Sequence, residues 1–90
     1  MTILEVLRSS PEPPSASHRS WYRRLNELST SHDPLDVARL ARDLNGRADS
    51  PALLRMAVSA RRRLIPPVAA EAGVDDSEAA MLIESALSGS

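Results

Sequence analysis

Two adjacent aromatics, Trp21 and Tyr22, are the only ones in this ninety-residue chain, which has no phenylalanine. Its core must therefore be built from Leu, Ala, Val and Ile, a composition that favours helices. The apolar residues recur at helical spacing along the whole chain, and no stretch keeps the two-residue alternation of a strand. A chain this short buries roughly 60–65% of the surface its unfolded form exposes, so the core is thin. The expectation is all-α: one helical domain over residues 1–90, a compact bundle of five to six short helices.

Start and stop signals divide the pattern. Thr2 caps a short first helix through Arg8, with Ile3, Leu4 and Leu7 on one face. A connector at 9–17 holds Pro11, Pro13 and Pro14, whose fixed φ and missing N–H exclude helix. The second helix runs from about His18 to Ser29. Asp33-Pro34 starts the third, which ends at Asn45-Gly46. Val37, Ala38, Leu40, Ala41 and Leu44 cover one side of it, and Asp36, Arg39, Arg42 and Asp43 the other. Ser50-Pro51 starts the fourth, with Leu53, Ala57, Ala60 and Leu64 as its seam. Pro66-Pro67 predicts a kink or break, leaving Val68–Ala72 as a separate turn stopped by Gly73. Asp75 caps the last helix in an acidic capping box with Glu78, and Ala79, Leu82, Ile83 and Ala86 form its seam.

The net charge of −1 conceals a division along the chain. Every basic residue is an arginine, and all eleven lie at or before Arg63, against seven acids there, for +4. Residues 64–90 hold five acids and no base, for −5. Arginine contacts phosphate and carboxylate through two parallel donors, so an arginine-studded surface suits an anionic partner. With no cysteine there is neither a disulfide framework nor a thiolate metal site. No apolar run approaches the ~18 residues of a membrane span, and Met1–Leu7 lacks the basic flank of a signal peptide. A soluble cytoplasmic protein is expected. His18 and His32 stand apart without further ligands at metal spacing, and His32-Asp33 beside Ser31 suits a helix cap better than a catalytic group. Neither catalysis, a metal nor a cofactor is expected.

The string ARRRLIPPVAAEAGVDDSEAAMLIESAL, residues 60–87, resembles the end of the CarD/CdnL family of bacterial transcription regulators. There an Ala-Arg leads into an aliphatic helix, an acidic-alanine stretch, an Asp-Asp cap and a final Ala/Leu helix. Arg42-Asp43-Leu44, the Ser50 helix start and Met56 match as well, and ILEVLRSSPEPPS resembles the opening of the family's C-terminal domain. The resemblance spans about Ile3 to Leu87. It implies a helical domain that contacts DNA, with RNA polymerase or a separate polymerase-binding protein as a further partner. The family's polymerase-binding β-domain precedes this region. Because Met1 stands where the helical domain opens, polymerase binding by the usual route is not expected. Pro66-Pro67 falls where the family keeps a continuous helix, and the Asn45–Asp49 loop is shorter than the family's.

Family members wedge a tryptophan, followed by paired arginines, into the DNA minor groove. Trp21-Tyr22-Arg23-Arg24 reproduces those words, which makes Trp21 the wedge. Alignment on Leu25, Leu28 and Arg42-Asp43-Leu44 instead drops the wedge position onto Ser17 and makes Trp21 a packing aromatic. In a helix Trp21 shares a face with Leu25 and Leu28, while Arg19 and Arg23 lie opposite. On the leading reading Arg19, Arg23 and Arg24 contact phosphates, Arg55, Arg62 and Arg63 extend the basic surface, and Trp21 inserts if the first register holds. Arg61 points nearer the seam and anchors an acid of the last helix. The rival reading is a helical module that binds protein, either a second copy as a homodimer or an anionic partner.

Overall fold

The computed structural model describes residues 2–9, 18–48 and 50–88, with only the backbone described at 18–20. Five helices account for nearly all of it, with no strand among the described residues: α1 (Ile3–Arg8), α2 (His18–Thr30), α3 (Pro34–Leu44), α4 (Pro51–Ala72) and α5 (Asp76–Ser88). The connector expected at 9–17 lies, apart from Ser9, outside the described residues. The radius of gyration is 12.5 Å, against the ~12 Å of a close-packed chain of this length.

The caps stand where local chemistry puts them. Thr2 and Glu5 form a reciprocal box on α1, the Glu5 N–H donating to Thr2 Oγ1 and the Thr2 N–H to Glu5 Oε2. Asp33, Ser50 and Asp75 accept from the backbone N–H groups of Leu35, Leu53 and Glu78. Gly46 and Gly73 take positive φ, 77° and 69°, in the left-handed turns that follow α3 and α4.

α3 is the hub, packed against α1, α2 and α4, while α5 lies along α4 and also meets α1. Val37, Ala38, Leu40, Ala41 and Leu44 are buried as the spacing predicts, and so are Leu53, Ala57, Ala60 and Leu64, with Val68 continuing their line. In α1 the enclosed residues are Ile3, Val6 and Leu7, with Leu4 only half-buried; in α5 Leu87 is enclosed and Leu82 half-buried. A six-residue helix has almost no stability of its own, so α1 persists through this burial and a tether. Its Ile3 N–H donates to Glu71 Oε1 at 3.1 Å, near the far end of α4.

Two expectations require correction. α4 runs unbroken from Pro51 to Ala72 with Pro66 and Pro67 inside it, so Val68–Ala72 is no separate turn. The carbonyls of Arg62 and Arg63 lose the donors that positions 66 and 67 would supply. Both residues are exposed, so water can satisfy those carbonyls, while fully enclosed Leu64 and Val68 hold the helix from either side. Asp43 is not on a solvated face. It is 2% exposed, because α2 covers that side of α3.

Candidate interaction face

Asp43 explains how several arginines are used. Arg42 donates through Nε to Asp43 Oδ1 at 3.0 Å and through Nη1 to Ser9 Oγ at 2.9 Å. Arg24 of α2 brings Nη2 to 3.9 Å from Asp43 Oδ2. A carboxylate in the last turn of a helix opposes the helix dipole. The arginines offset that cost, and the group ties α1, α2 and α3 together. Arg39 pairs with Asp36 at 2.7 Å, as its i,i+3 spacing predicts, and Ser31 Oγ donates to the other Asp36 oxygen at 2.8 Å. Arg61 binds Glu84 Oε1 at 3.0 Å and Asn45 Oδ1 at 3.3 Å, as expected of an anchor to the last helix. Asn45 in turn donates to the Leu87 carbonyl at 2.8 Å, pinning the ends of α3 and α5.

Arg63 is exposed, yet its guanidinium is engaged. Nη1 donates to the Ser29 carbonyl at 2.7 Å and Nη2 to the Ser31 carbonyl at 2.6 Å. These lie at the C-terminal end of α2, where carbonyls lack helical donors and the dipole favours a cation. Arg63, expected to extend the basic surface beside Arg55 and Arg62, therefore directs its guanidinium to the end of α2.

The seven residues expected to contact DNA therefore divide. Arg24 and Arg63 are joined to Asp43 and to the end of α2. Trp21 is half-buried against the core, on the face it shares with enclosed Leu25 and half-buried Leu28. Its ring meets Tyr22 edge-on at 5.5 Å. Arg23 is exposed and borders an open groove beside Tyr22 and Asn26. The Arg19 side chain lies outside the described residues. Arg55 and Arg62 are exposed, without a hydrogen bond or ion pair among the described residues.

Beside Arg55 and Arg62 on α4 lie two apolar residues outside the seam. Leu54 is 55% exposed and Val58 43% exposed. With Ser59 and Arg63 they line an open groove of about 450 Å³ along the outer face of α4. A second groove of about 260 Å³ separates α4 from α5, between Val58 and Ile65 on one wall and Ala80 and Glu84 on the other. Leu54, Val58 and Ile65 each stand one position after a seam residue or pair with one, at spacings of four and seven. That is the spacing of an edge that can receive another helix. The sequence signal was present but reads equally as the margin of a wide core.

Among the described residues no three His, Asp or Glu side chains are grouped to hold a metal ion, and no helix is long and apolar enough to cross a membrane. Comparison with protein-family models, curated proteins and solved structures finds no match to this chain.

Proposed function

We propose that this chain is a non-catalytic, cytoplasmic protein-interaction module whose working surface is the outer face of α4. The observation that carries the reading is an apolar centre, Leu54 and Val58, bordered by Arg55 and Arg62, cations with no side-chain partner among the described residues. Full burial of such a side chain contributes ~1.5–3 kcal/mol, so covering the exposed half of each is worth roughly 1 kcal/mol. Phosphates gain nothing from that apolar centre, whereas a protein surface with an apolar middle and acidic rim gains from both parts. The DNA contact implied by the CarD/CdnL resemblance would draw mainly on Arg23, Arg55 and Arg62, since Arg24 and Arg63 already hold the fold together.

A photo-crosslinking residue at position 54, used in the native host, separates these classes of partner. The expected adduct is sensitive to protease, resistant to nuclease, and lost when Val58→Asp is added. A nuclease-sensitive adduct would refute the proposal in favour of DNA. So would low-salt binding to fork or duplex DNA that Arg55→Glu with Arg62→Glu abolishes and Val58→Asp leaves intact.

A further inference from the structure

The α4–α5 face is divided in charge as the whole sequence is. Its α4 edge carries Arg55 and Arg62; its α5 side carries Glu84, exposed and lining the second groove. Between them runs the apolar strip of Leu54, Val58 and Ile65, facing Ala80 across the second groove. On α5, Met81 is 71% exposed one residue further on.

Resting on the proposed interaction function, we infer that the occupant of this face is a second copy of the same chain. The two copies form a two-fold dimer in which α4 of each lies on α5 of the other. Charge complementarity selects this arrangement. A two-fold axis running along the helices exchanges the edges, bringing Arg62 opposite Glu84 of the second copy and the two apolar strips together. The contact is isologous and closed, and the four helices make a small bundle. The alternative antiparallel pairing of α4 with α4 is disfavoured. Centred between Val58 and Ser59, it sets Arg55 against Arg62 of the other copy, a like-charge contact in both halves of the interface. Arg61 already holds one Glu84 oxygen at 3.0 Å, yet Glu84 is 61% exposed and can accept a second cation. Five apolar side chains per copy give less than the ~1,600 Å² of a standard interface, so the dimer is weak and depends on its ion pairs. Salt therefore dissociates it.

Sedimentation velocity on the full chain tests this. The wild-type chain should dimerise at low salt and dissociate as salt rises. Arg62→Glu alone should be monomeric through Glu–Glu repulsion, and Glu84→Arg alone through Arg–Arg repulsion. Each substitution should raise the dissociation constant about tenfold or more, the factor expected for a reversed close pair. An equimolar mixture of the two variants should recover a one-to-one dimer, because both cross-pairs then join Glu to Arg. Val58→Asp should be monomeric with an unchanged helical spectrum. Three results would overturn the dimer: a monomeric wild-type chain at low salt, a dimer insensitive to Val58→Asp, or no recovery on mixing. A crosslink from position 54 to a different protein, with the wild-type chain monomeric, would remove the dimer and leave the interaction function standing. A nuclease-sensitive adduct would remove both.

Discussion

Replacing Pro66 by alanine should make this protein more stable. An interior proline costs ~3 kcal/mol relative to alanine, through the lost N–H and the crowding of the preceding turn. Here the lost bond is the one position 66 would donate to the Arg62 carbonyl. Three circumstances reduce the gain. Water can serve that carbonyl, because Arg62 is exposed. Alanine frees the unfolded chain, at a cost of ~0.4–1 kcal/mol. Pro67 still follows and disfavours the helical region at position 66. Pro66 is itself exposed, so removing its ring forfeits little burial. The balance is a gain of about 1–2 kcal/mol, which for a domain of this size raises the melting temperature by roughly 4–16 °C. Urea unfolding followed by the helical signal at 222 nm measures it. An unchanged or lowered midpoint would refute the reasoning, showing that the stiff dipeptide restrains the unfolded chain more than it weakens the helix.

The helix starts were legible because a cap is a local event. Thr2, Asp33, Ser50 and Asp75 bind backbone N–H groups two or three residues ahead, so sequence neighbours decide the outcome. The passage of α4 through Pro66-Pro67 was not local. It follows from the enclosure of Leu64 and Val68, whose packing against other elements outweighs the loss of two ladder bonds. The burial of Asp43 is hidden from the sequence for a related reason. A wheel of α3 divides apolar from charged, but α3 is covered by α1, α2 and α4, so part of its charged side is interior.

The arginine stripe of α4 was equally visible, whereas the engagement of each arginine was not. Arg61 sits beside the seam, a position that predicts an acid of α5 as its partner, and Glu84 is that acid. Arg63 finds main-chain carbonyls more than thirty residues away, a partner no spacing rule encodes. Trp21, Leu25 and Leu28 share one face as the period requires, and packing leaves one part of the indole open because α2 lies at the margin of the bundle. What separates Leu54 and Val58 from the core is only the width of the α4 contact, which depends on how α3 and α5 flank it.

Further consequences follow from the same contacts. Trp21 should emit blue of free tryptophan yet remain partly open to quencher, and Trp21→Ala should cost roughly 2 kcal/mol, less than a fully enclosed indole; red emission with unchanged stability would contradict its packing and favour the wedge reading. Asp43→Ala should be the most damaging of these substitutions. It leaves Arg42, whose side chain is only 11% exposed, without its counterion, and breaking a buried pair costs ~3–5 kcal/mol. A domain of this length has about 5–14 kcal/mol in all, so the urea midpoint should fall steeply or folding should fail. Because failure alone would say little, Asp43→Asn and the double replacement Arg42→Met with Asp43→Leu complete the test. The amide keeps the volume and an acceptor for Arg42 Nε, so its loss should be smaller. Removing both charges should recover much of the stability, as Arg24, with its side chain 38% exposed, can turn to water. If Asp43→Ala instead unfolds within about 0.5 kcal/mol of the wild type, the range of ordinary surface substitutions, the pair holds nothing. The α2–α3 junction would then rest chiefly on its apolar face, Trp21, Leu25 and Leu28.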